Sequence, residues 1–106
     1  AQAFAGDGQA LALSQRAVAS GWVAAEPEQA RRQFWLMPLM HAEDLAIQEA
    51  ALPLFERFCD ARTAAFARRH RDVIARFGRF PHRNAALGRA STAEELAFLQ
   101  TPGSGF

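Results

Sequence analysis

The sequence predicts an all-α fold, and three observations carry that expectation. Apolar residues recur at spacings of three and four, not two. Val, Ile and Thr are scarce and Tyr is absent, which removes most residues that favour strands. Signals that start and stop helices punctuate the chain. The length of 106 residues suits one small domain, residues 1–106, with a modest core. Alanine makes up much of the hydrophobic half and buries little area, so Phe, Leu, Met and two Trp are expected to carry the packing.

The elements follow in order. Asp7 is placed to cap a first helix ending near Ser20, with Gly21 at its left-handed exit. Leu11, Val18 and Trp22 lie near one face, with Ala10, Leu13 and Ala17 beside it. Glu26-Pro27-Glu28 starts a second helix, because proline tolerates the first turn and acids favour its positive end. That helix enters FWLMPLM (34–40), which is apolar all round and so expected to be buried on most sides; Pro38 is expected to bend or end it.

His41-Ala42-Glu43-Asp44 opens a third helix, about residues 43–59. It carries two adjacent stripes, Leu45, Leu52, Phe55 and Cys59, then Ile47, Ala51, Leu54 and Phe58. Two stripes imply more than one neighbour. Pro53 is expected to kink or break it. A fourth helix spans about Ala61 to Phe77, with Phe66, His70, Val73 and Phe77 on its buried side and Ile74 alongside. Arg68, Asp72 and Arg76 share another face as i,i+4 partners. Ser91-Thr92-Ala93-Glu94 reads as a capping box for a last short helix. TPGSGF (101–106) reads as a flexible tail.

RFGRFPHRN (76–84) concentrates aromatic, imidazole and guanidinium groups at a turn. Gly78 suits the position just past the fourth helix, where a positive φ is needed. Pro81 holds Phe80 extended, so the chain turns and lays Phe80 back on the bundle.

Charge is unevenly spread. The net charge is +1, yet Arg57 to Arg89 holds nine arginines against Asp60 and Asp72. The small net charge argues against nucleic acid. The apolar run 34–40 is too short to span a bilayer. A single cysteine, Cys59, suits a reducing compartment, and no secretory signal is evident, so a cytoplasmic location is expected.

The stretches PLMHAEDLAIQE (38–49), HRDVIARFGRFPHRNAALGR (70–89) and STAEELAFL (91–99), with AFAGDGQALALSQRAV (3–18), resemble the bacterial domain of unknown function 924. The resemblance implies an all-helical protein of four to six helices here, likened to tetratricopeptide-type arrays, with no established activity. Members usually carry a helical segment ahead of this one, ending in Leu-Asp-Gln-Phe-Pro-Arg-Asn. The chain is therefore expected to be the C-terminal portion of a longer member. An apolar face bared in this way is expected to produce a homo-oligomer or an exchanged dimer.

Candidate chemistry is sparse. His41, His70 and His82 stand near Glu43, Asp44 and Asp72 in sequence, but no metal-ligand spacing links them, and neither metal nor cofactor is expected. Cys59 sits on an apolar stripe and reads as a small hydrophobe. No phosphate-loop or serine-nucleophile motif occurs. Arg76, Arg79, Arg83 and Arg89 converge around the turn, and convergent guanidiniums receive carboxylate or phosphate. The leading expectation is a binding module for an anionic small molecule or a protein, with a polar pocket of His41, Glu43, His70, Arg79, His82, Arg83 and Asn84. A small hydrolase with His41 or His82 as base is the alternative, so enzymatic activity is left open. A partner groove lined by Trp22, Phe34 and Met37 is a third reading.

Overall fold

The computed structural model describes residues 7–102, with side chains from residue 8. Six α-helices run in chain order: α1 (Asp7–Ala19), α2 (Trp22–Ala25), α3 (Gln29–Met40), α4 (Leu45–Phe58), α5 (Ala61–Phe77) and α6 (Ala93–Leu99). A 3₁₀ turn, Pro81–Arg83, lies between α5 and α6. No strand occurs among the described residues. Helices α1, α3, α4 and α5 pack as successive neighbours, and α6 rests on the 3₁₀ turn.

Local chemistry explains most boundaries. Asp44 Oδ1 accepts the Ile47 N–H at 3.1 Å and starts α4. Asp60 Oδ1 accepts the Thr63 N–H at 2.7 Å and starts α5. Gly78, at φ 73°, ends α5 in the left-handed region, where its missing Cβ avoids a steric cost. Phe80 is extended ahead of Pro81, as the proline requires. The α3–α4 corner is tied by a buried side chain absent from the sequence reading: Gln48 donates to the Met40 and Ala42 carbonyls at 2.5 and 2.9 Å. Arg32 crosses from α3 to donate to the Phe58 carbonyl at 2.7 Å, which holds the end of α4.

Several expectations are corrected. Pro53 does not break α4, which runs on to Phe58, while α3 ends at Met40, shortly after Pro38, near where its helix was expected to bend or end. A proline costs one hydrogen bond, and packing along both helices offsets that locally. The capping box sits one residue later than expected: Thr92 caps, and Glu95 replies. The Glu95 N–H donates to Thr92 Oγ1 at 3.1 Å, and the Thr92 N–H donates to Glu95 Oε1 at 2.9 Å. The short α2 was not anticipated. Arg68 reaches Glu56 and Asp72 takes Arg71, so the expected pairing along α5 does not form. The Asp7 cap and most of the 101–106 tail lie outside what is described.

The core falls into two parts. The larger joins Ala17, Val23, Leu36, Leu39, Met40, Ala51, Phe55, Ala64 and Ala67. Its four alanines let helices approach closely, so small side chains do more of the packing than the composition implied. The smaller joins Val73, Ile74 and Phe80, with Phe77 and Phe98 against them. Phe34 is 76% exposed, and Trp22 and Phe66 also reach the surface, so the aromatics carry less of the core than expected.

Candidate functional site

The seven residues singled out from sequence divide between two neighbourhoods. The first surrounds the Phe80 ring, which is completely buried. His70 from α5 meets it edge-on at 5.5 Å, and His82 lies at 5.7 Å. His41, just past α3, stands 5.7 Å from His70. The Arg83 guanidinium lies over the Phe80 ring at 4.9 Å. Four candidates thus gather on one aromatic hub, because Gly78 and Pro81 return the chain onto α5.

The second neighbourhood is an ionic lattice behind that hub. Glu43 accepts the Phe80 N–H at 2.6 Å and a two-pronged bond from Arg89 at 2.9 and 3.0 Å. Arg89 Nε also donates to Asn84 Oδ1 at 3.0 Å. Asn84 Nδ2 donates to Ser91 Oγ at 3.0 Å and, more weakly, to Glu95 Oε1 at 3.4 Å. Arg79 closes the chain with two bonds to Glu95, at 2.8 and 2.7 Å, and one to the Ala90 carbonyl at 2.8 Å. The run Glu43–Arg89–Asn84–Glu95–Arg79 therefore fastens the start of α4, the 3₁₀ turn and α6 together. Arg76 stands apart over the Phe77 and Phe98 rings.

Charges respond accordingly. Burial alone would raise the Glu43 carboxyl, but the Arg89 bonds, the Phe80 N–H and the charges of Arg89 and Arg83 hold it below the usual range. Glu95 is held at about 2, first by the Arg79 bonds and then by the Thr92 N–H. Burial pushes the His70 imidazole down to about 4, against the opposing bond to the Phe66 carbonyl at 2.7 Å. Burial also lowers His82, and Arg83 adds to that. Neutral His70 therefore carries its proton on Nδ1, the atom that donates to Phe66.

Beside the hub lies a cleft of about 590 Å³ between α1, α3 and the start of α4. Leu11, Leu13, Phe34, Trp35, Met37, Pro38 and Ile47 supply apolar wall, and His41, Glu43, Asp44 and Arg83 supply polar groups. Three of the seven sequence candidates thus line it; His70, Arg79, His82 and Asn84 do not. Of the residues proposed for a partner groove, Phe34 and Met37 line this cleft and Trp22 does not; Trp22 packs on Trp35 at 5.9 Å. A second groove of about 360 Å³, along Val18, Leu39, Ile47, Ala50 and Leu54, is apolar. Among the described residues, no group of three His, Cys, Asp or Glu side chains is gathered as metal ligands. The sequence reading did not foresee Glu95 as the partner of Arg79; the Thr92-x-x-Glu95 spacing was the available signal.

The family model for bacterial proteins of unknown function, DUF924, matches residues 1–103. The chain belongs to the DUF924 family. A solved structure of a protein of unknown function from Agrobacterium tumefaciens is similar, with 38% identity and a TM-score of 0.84. The match covers 92% of this chain and 54% of that one, so this DUF924 chain spans about half the length of that protein. No curated protein matches the chain. No helix among the described residues is long and apolar enough to cross a membrane.

Proposed function

We propose that the chain is a helical binding module for a small molecule. The ligand's apolar body lies in the cleft between α1, α3 and α4, and its polar end meets His41, Glu43 and Arg83. One observation carries this reading: apolar walls and a few polar side chains border a single concavity of about 590 Å³. That size and mixture are typical of small-molecule sites. The ionic lattice supports the reading from behind, because Glu43 is held by Arg89 and the Phe80 N–H and so presents a fixed wall. We place the module in the cytoplasm, since its single cysteine, half-buried with a thiol pKa raised by burial, serves no disulfide within the chain.

The test is a small-molecule screen by thermal shift, with hits mapped by backbone amide NMR. Hits are expected to move the signals of Leu11, Trp35, Met37 and Ile47. The exposed Ala10 also borders the cleft, so Ala10→Trp is expected to fill it and abolish the response while leaving the melting temperature nearly unchanged. Hits that map elsewhere, or that bind Ala10→Trp equally well, sink the proposal.

A further inference from the structure

We propose that the cleft selects an organic anion with an apolar body, its carboxylate or phosphate head held by the Arg83 guanidinium. This rests on the cleft being a ligand site and names what that site prefers.

The charged groups that border the cleft differ in how far the protein already answers them. Glu43 already accepts three charge-assisted or backbone bonds, two of them from Arg89, so its charge is answered inside the protein. It is a poor receptor for a ligand ammonium. Asp44 accepts the Ile47 N–H at the start of the 14-residue α4, where the helix end favours a negative charge. Glu43 is therefore committed to the fold, and Asp44 spends one oxygen on the helix cap and stands exposed at the rim of the cleft.

Arg83 differs in kind. It is 7% exposed and borders the cleft, so a ligand contact there is shielded from water. The Phe80 ring lies against its guanidinium at 4.9 Å, which helps to hold it in place. A guanidinium carries five N–H donors in one plane and accepts nothing. It can serve an incoming anion while keeping contacts it already makes. An anion entering beside Arg83 is thus favoured over an ammonium.

The walls determine the rest of the ligand. Leu11, Trp35, Met37 and Ile47 offer flat and flexible apolar surface suited to an aryl or acyl body.

The experiment titrates the 106-residue chain with four naphthalenes that differ only in head group: 2-naphthoate, 2-naphthyl phosphate, 2-naphthylmethanol and 2-naphthylmethylamine. At least one anion is expected to bind about tenfold or more tighter than the alcohol, with the amine weakest. Comparing the two anions says whether carboxylate or phosphate is preferred. Arg83→Met is expected to reduce anion affinity to the level of the alcohol and leave alcohol binding unchanged. If Arg83→Met does not fold, rising salt on the unaltered chain gives the second reading, weakening the anion and not the alcohol. Equal binding of alcohol and anion overturns the anion preference and leaves the cleft standing. No binding of any of the four, with no shifts around Trp35, overturns both.

Discussion

Acid titration of His70 offers the sharpest physical check on the aromatic hub. The ring is 4% exposed, pressed between His41 and Phe80, and its pKa is pushed down to about 4, mainly by burial. In the unfolded chain the same imidazole titrates near 6.5. The unfolded state therefore takes up the proton first, and stability falls as pH drops below the unfolded value. The contribution is complete above that value and exhausted below the folded one. Linkage gives a loss of about 1 kcal/mol between about pH 7.5 and 5.5, growing to about 2–3 kcal/mol by about pH 4.5. His82 shifts in the same direction and adds to the slope. The carboxylates Glu43, Asp60 and Glu95 are all lowered, so their losses come at more acid pH and leave the upper window to histidine. Urea unfolding followed by circular dichroism at a series of pH values measures the slope. His70→Asn, whose amide can still donate to the Phe66 carbonyl, is expected to lower stability at neutral pH and to flatten the curve. An unchanged slope in that variant, or a flat curve in the unaltered chain, refutes the buried neutral imidazole.

Other consequences follow from the same contacts. Glu43→Gln loses the two-pronged Arg89 bond and is expected to cost about 2 kcal/mol in urea unfolding, since bonds to charged groups are the stronger kind; a loss below about 0.5 kcal/mol contradicts the lattice. Gly78→Ala meets no atom within 4 Å but imposes a side chain at φ 73°, so a loss of about 1 kcal/mol is expected from backbone strain alone. Phe80→Ala empties the centre of the second core and is expected to cost about 3–5 kcal/mol. Phe34→Ala, at an exposed ring, is expected to stay within about 0.5 kcal/mol. Equal melting temperatures for those two variants would reverse the assignment of inside and outside.

The helices themselves were legible because their signals are local. The periodicity of α5 and the Gly78 stop signal lie within one segment, and the helix and its end at Phe77 follow from them; the Asp60 cap, equally local, went unread. Phe80 and Pro81 likewise foretell a buried ring, since a dihedral restriction acts between adjacent residues. Pro53 did not break α4, one of the two outcomes expected there, because packing over a whole face outweighs one missing bond.

Pair identities were beyond the reach of spacing. Ser91 and Thr92 offer almost the same cap, and only the docking of α6, with Glu95 turned inward to Arg79, selects Thr92. Glu43 and Arg89 are 46 positions apart, and a bond at that separation depends on how α4 and the last turn are brought together. Short-range rules act through a few backbone dihedrals, so residue order by itself determined an all-helical chain with a folded-back turn at Phe80. Which arginine meets which acid, and that Arg83 borders a cleft while Arg79 does not, depends on where helices distant in sequence come to rest. Tertiary packing alone decided that.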